Sequence, residues 1–142
     1  MLSAKTQYAI LALLELAQEQ PGVAARPASA ARIAERHGIP ATFLVQILHE
    51  LKRSGIIAST RGPGGGYRLS QPPQEVTLAD VVDLLEANDA PSECAAGESP
   101  FAAALVETCA DLARARREVL AGVTLADLAE RGAAAAGAMW YI

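Results

Sequence analysis

Aromatic residues are scarce in this 142-residue chain: two Phe, three Tyr and one Trp make up 4% of it. A β-sandwich would draw its strands from Val, Ile, Tyr and Phe, whereas closely spaced helices are served by the abundant alanine, so the expected fold class is mainly α. The length suits one well-packed domain and excludes a multidomain machine. Long hydrophobic runs are also missing. No apolar stretch approaches the ~20 residues needed to cross a bilayer, and Met1 to Lys5 lacks the apolar core of a secretion signal, so a cytoplasmic chain without a membrane partner is expected. His37 and His49 have no Cys or carboxylate near them at metal-binding spacing. The run Gly62-Pro63-Gly64-Gly65-Gly66 lacks the Gly-Lys-Ser/Thr ending and the following helix of a nucleotide-binding loop. Asp80, Asp83 and Glu86 stand at helical spacing, as on a solvated face, and no catalytic residue is expected.

The formal net charge is −4, which taken whole disfavours an anionic partner, but it is unevenly placed. Residues 1–70 carry eight basic against four acidic side chains, a balance of +4. Residues 71–142 carry four against twelve, a balance of −8. The first part is suited to meet an anion and the second to do something else.

Thr6 to Gln18 is apolar nearly all round, which predicts a buried helix ending before Gln20-Pro21-Gly22. Ala30 to His37 reads as a short helix closed by Gly38, and Ala41 to Ser54 as a second one, preceded by Pro40 and ended by Gly55. Two helices joined by a turn of about three residues form a helix-turn-helix. Ala34 is small where the two must approach. Leu44, Ile47, Leu48 and Leu51 make the inner face of the second helix, leaving Thr42, Gln46, His49 and Arg53 outside, where they can meet base edges in a major groove. After Gly55 the pattern turns β-prone. Residues 56–70 predict a hairpin with a glycine tip, the wing of a winged helix, with Arg61 and Arg68 flanking the tip.

Gln71-Pro72-Pro73 closes this module, taken as residues 1–72. Residues 76–131 read as a second region. Thr77-Leu-Ala-Asp80 opens a helix to about Ala87, a sensor-type loop follows over 88–98, and Ser99-Pro100 opens a long helix to about Ala121. That helix carries an apolar stripe of Phe101, Leu105, Cys109, Leu112, Val119 and Leu120, continued by Val123, beside a charged face with Arg114, Arg116 and Arg117. One such stripe added to a complete small domain suits a dimer seam. Thr124-Leu-Ala-Asp127 opens a last short helix ending near Gly132, and residues 132–142 read as a loose tail.

The stretches TQYAILALLELA, AARIAERHGIPATFLVQILHELKRSGII, RGPGGGYRLSQPPQEVTLADVVDLLE and VTLADL together resemble the Rrf-two family of bacterial winged-helix transcription regulators, whose members include iron–sulfur sensors of the IscR and NsrR type. The resemblance spans roughly residues 1–131. It implies a homodimer, expected to be a repressor, on a pseudo-palindromic double-stranded operator. Thr42, Phe43, Val45 and Gln46 would then face bases and Arg61 would enter the minor groove, while Gly62, Gly64, Gly65 and Gly66 would let backbone amides approach phosphate. Ser3, Lys5, His49, Lys52, Arg53 and Arg68 complete the expected DNA contacts. The iron–sulfur sensor whose DNA choice depends on its cluster has a glutamate where this chain has Val45, so operator preference should differ.

Cluster-binding relatives place three cysteines in the loop and at the start of the long helix. Cys94 falls on the first, whereas the second and third positions fall near Pro100 and Ala103. Two thiols cannot supply three ligands, so no cofactor is expected. Cys94 and Cys109 remain sensor candidates. Cys109 reads as a small buried hydrophobe or as half of a thiol switch, and Cys94 as a remnant or as a reactive thiol. Three alternatives stay open: a cluster with atypical ligands, metal ligation by Cys94 of one subunit with His37 of another, and a winged helix that only binds proteins.

Overall fold

A computed structural model describes residues 2–18, 27–86 and 98–140. Helix α1 (Ala4–Gln18) is the hub, with Ala9, Ala12, Leu13 and Leu16 buried and four other helices and a strand packed on it. Its alanines allow close approach. It starts two residues earlier than the apolar pattern predicts, because the Ser3 hydroxyl accepts a hydrogen bond from the Thr6 N–H at 3.2 Å and caps the helix.

Helices α2 (Ala30–His37) and α3 (Ala41–Ser54) have the boundaries that their local signals predict. Ser29 caps α2 by accepting from the Arg32 N–H at 3.2 Å. Gly38, at φ 64°, turns the chain so that the Ile39 N–H reaches the Ala34 carbonyl at 3.0 Å. Leu44, Ile47, Leu48 and Leu51 are fully buried. Each contributes about 1.5–3 kcal/mol by leaving water, which holds α3 against α1 with its other face outward.

Strands β1 (Ile57–Thr60) and β2 (Gly66–Leu69) pair antiparallel, Ile57 opposite Leu69 and Thr60 opposite Gly66. A third backbone segment joins them. Ala28, just before α2, exchanges two hydrogen bonds with Tyr67, at 2.8 and 3.0 Å. The hairpin is thereby fixed to the helix-turn-helix.

After a short 3₁₀ turn (Pro73–Glu75), helix α4 (Leu78–Leu85) begins in the expected capping box and ends slightly before the expected Ala87. Helix α6 (Leu125–Trp140) begins in a matching Thr124–Asp127 pair. The two signatures meet in space: the Leu78 N–H donates to the Val123 carbonyl and the Leu125 N–H to the Val76 carbonyl, both at 2.9 Å. This bridge sets α6 beside α1. The helix does not stop near Gly132, and through residue 140 the expected loose tail is helical. Gly132 and Gly137 flank four alanines, and the best helix former carries the helix across the ~1 kcal/mol that each interior glycine costs.

Helix α5 (Pro100–Ala121) is capped by Ser99, whose hydroxyl accepts from the Ala102 N–H at 3.1 Å. None of its residues is buried. Phe101, Leu112 and Val119 are 86%, 70% and 68% exposed, and Cys109 is exposed as well, against the reading of Cys109 as a packed core residue. The stripe exists but none of the described residues covers it. The sensor-type loop and Cys94 lie outside the described residues.

Candidate nucleic-acid interface

The outer face of α3 presents Thr42, Val45, Gln46, His49, Lys52 and Arg53, all exposed. Phe43 differs. It is half-buried, with its ring edge-on to Tyr8 of α1 at a centroid separation of 5.8 Å. Phe43 therefore anchors the start of α3 to the hub as well as lying beside the outer face.

On the wing, Arg61 and Arg68 are exposed. The tip needs its glycines for its own backbone. Gly62 and Gly64 have φ of 101° and 88°, and a Cβ on Gly65 or Gly66 would lie 2.2 Å from the Thr60 carbonyl oxygen or 2.5 Å from that of Ala28. Gly62 and Gly64 have open space around them, so these are the two tip residues whose backbone an incoming phosphate can approach without displacing protein.

Seven of the cations sort into two groups. Lys52, Arg53, Arg61 and Arg68, on the end of α3 and the wing, have no ion-pair or hydrogen-bond partner among the described residues, and all are exposed. The three arginines of α5 are each paired: Arg114 with Asp111, Arg116 with Glu86, and Arg117 with Asp83 through two bonds of 2.6 and 2.7 Å. The hydrogen bonds that Arg117 donates to Asp83, and then the charge of that carboxylate, push the Arg117 pKa upward. Unspent positive charge is thus concentrated beside the exposed face of α3. Lys5, expected among the free cations, bonds Glu50 of α3 at 2.8 Å, and Ser3 is likewise engaged within the protein.

Two carboxylates do work that the sequence pattern did not disclose. Glu15 is 1% exposed inside α1. It accepts from Arg36 Nη1 at 3.1 Å and meets His37 Nε2 at 2.9 Å, tying the end of α2 to the hub. Its place among apolar residues was the available signal, since a carboxylate there needs partners. The second is Glu86. Burial pushes its pKa up, but bonds from the Ser3 N–H, the Thr6 hydroxyl and Arg116 outweigh that and hold it below its ordinary value.

Donors for a metal or cluster do not come together among the described residues: no group of three or more His, Cys, Asp or Glu side chains is placed to hold an ion. His37, a candidate ligand, is turned onto Glu15, and Cys109 stands on the outside of α5.

A helix-turn-helix with an exposed second helix, followed by a glycine-tipped basic hairpin, defines a winged-helix, DNA-binding transcription regulator. Residues 2–131 match the family described as Rrf2, iron-dependent transcriptional regulator, and the chain belongs to that family. It is 35% identical over 134 residues to ORF2 of Azotobacter vinelandii, named as an HTH-type transcriptional regulator, covering 92% of this chain and 79% of that protein. Among solved structures it is similar to CymR, the global cysteine regulator of B. subtilis, with TM-score 0.78 and 31% identity over 92% of this chain and 97% of that one. It is also similar to T. potens IscR, with TM-score 0.73 and 27% identity over 93% and 88% of the two chains. No helix among the described residues is long and apolar enough to cross a membrane.

Proposed function

We propose that the protein acts as a homodimeric repressor that binds a pseudo-palindromic operator and blocks it by occupying it. The observation that carries this reading is the unpaired set Lys52, Arg53, Arg61 and Arg68 bordering the exposed Thr42, Val45 and Gln46 of α3. The polar residues of α3 supply donors and acceptors for base edges, Val45 supplies a methyl-sized apolar contact for thymine, and the cations hold phosphate. Arg61 at the wing reaches the neighbouring minor groove.

The dimer rests on α5. Leu105, Leu112 and Val119 are exposed and spaced seven residues apart, so they form one line along the helix, extended by Phe101 at its start. A line of large apolar groups in water is stabilised by a matching line, and a second copy of the same helix provides one. The experiment is selection from a randomised duplex pool, followed by expression of a reporter behind the selected sequence. Enrichment of an inverted repeat and lower reporter expression are expected. Enrichment of no sequence would contradict DNA recognition, and a non-repeated sequence would contradict the dimer.

A further inference from the structure

Glu86 stands at the end of α4 and joins two other elements. Its Oε1 accepts from the Ser3 backbone N–H and from the Thr6 hydroxyl, each at 3.0 Å, at the start of α1. Its Oε2 accepts from Arg116 Nη2 of α5 at 2.9 Å. Thr6 is fully buried and spends its hydroxyl proton on Glu86, so the Ser3 hydroxyl, 3.0 Å from Thr6, is the donor between those two. Both carboxylate oxygens of Glu86 are thus engaged, and its side chain is only 12% exposed. By contrast the other ion pair between α4 and α5, Asp83 with Arg117, is 50% and 64% exposed and shares no hydrogen bond with α1 among the described residues. Water competes with such a pair and leaves it little holding power.

The geometry points to Glu86 as a positioning residue that sets how the DNA-reading head sits on the dimerisation helix, through Arg116 on one side and Ser3 and Thr6 on the other. This rests on the reading of the protein as a dimer on a palindrome. In such a dimer α1 carries α2, α3 and the wing, while α5 carries the seam, so any play between α1 and α5 becomes play in the distance between the two recognition helices. Half-sites are about one helical turn, ~34–36 Å, apart, and a loose joint must be ordered at the moment of binding. Glu86 orders it beforehand.

The test uses the palindromic duplex that the parent protein selects from a randomised pool, its single half-site, and duplexes whose half-sites are moved apart one base pair at a time. Full-length Glu86→Gln, Arg116→Ala, the double variant and Asp83→Ala are compared with the parent, with dimerisation followed by light scattering. Glu86→Gln and Arg116→Ala are expected to remain dimers, to bind the half-site as the parent does, and to lose about five-fold or more on the palindrome. They should also discriminate less between spacings. The double variant should be no worse than Glu86→Gln alone, and Asp83→Ala should behave as the parent. Arg116 is exposed enough that its removal leaves folding intact even if Glu86→Gln does not. Equal losses on palindrome and half-site, additive losses, or an unchanged spacing preference in Arg116→Ala would overturn the joint. A parent that binds half-site and palindrome equally would instead overturn the dimer reading, and the joint with it.

Discussion

Ala28 and Tyr67 exchange both of their backbone hydrogen bonds, and this pairing brings the Ala28 carbonyl to within 2.5 Å of where a Cβ on Gly66 would stand. The wing is therefore a strand pair locked to the segment before α2, and its glycines serve that lock before they serve any ligand.

Gly66→Ala should accordingly loosen the wing. The new methyl meets backbone on its nearest side and has no flexible side chain to push away, so β2 must separate from Ala28. The expected result is loss of amide-exchange protection at Tyr67 and Ala28 with protection in α1 kept. An unchanged exchange pattern would contradict the lock.

Glu15→Ala should destabilise the fold by about 2–3 kcal/mol, since it leaves a small void in the hub and removes the shared acceptor of Arg36 and His37. The estimate stays moderate because Arg36 is more than half exposed and water can take over its charge. Urea denaturation measures it, and a variant as stable as the parent would show that the α1–α2 contact is held by packing alone.

Leu112→Asp should disrupt association. In the proposed dimer a charge placed on the exposed line of α5 would meet its own copy across the seam, and the dimer dissociation constant should rise ~100-fold or more. Cys109 lies three residues before Leu112 and four after Leu105, on the same side of the helix. In the parent dimer it should react slowly with an aromatic disulfide reagent, and in Leu112→Asp quickly. Equal rates would place the seam elsewhere.

Acid should weaken the fold in a defined window. Bonds to Glu86 and Asp127 hold both carboxyls below their ordinary values of 4.5 and 3.8; for Asp127 the Thr124 N–H is the main cause. The contribution is fully present above those ordinary values. As pH falls below about 4.5 the unfolded chain takes up protons that the folded chain refuses, and the contribution is gone once pH passes below the folded values. Glu86→Gln should flatten the fall in urea midpoint between about pH 5 and pH 3, and a curve parallel to the parent's would contradict the Glu86 bonding.

What the sequence made legible was local. Ser29, Gly38, Gly55 and Ser99 set helix ends through bonds within a few residues, so α2, α3 and α5 fall where those residues put them. The β-prone residues and the glycine tip after Gly55 placed the hairpin in the same way. Long-range polar pairs were not legible. Glu15 counted only as a unit of charge, although it is spent on Arg36 and His37, and Lys5 was read as free although Glu50 lies 45 residues away. Glu86 was read as part of a solvated acidic face, because nothing near it in sequence announces Ser3, Thr6 or Arg116. Cys109 read as packed for a related reason: its stripe was real, but none of the described residues covers it. At α6 the glycines were weighted above the alanines, and the alanines prevailed.

In the proposed function α3 and the wing hold DNA with cations that are unpaired among the described residues. It is tested most directly by the salt dependence of binding to the selected duplex, parent against Arg61→Ala. Arg61→Ala should bind more weakly at every salt concentration, with a slope of log affinity against log salt shallower by about 1, the mark of one lost phosphate-side cation. Equal affinity and equal slope for the two proteins would contradict it.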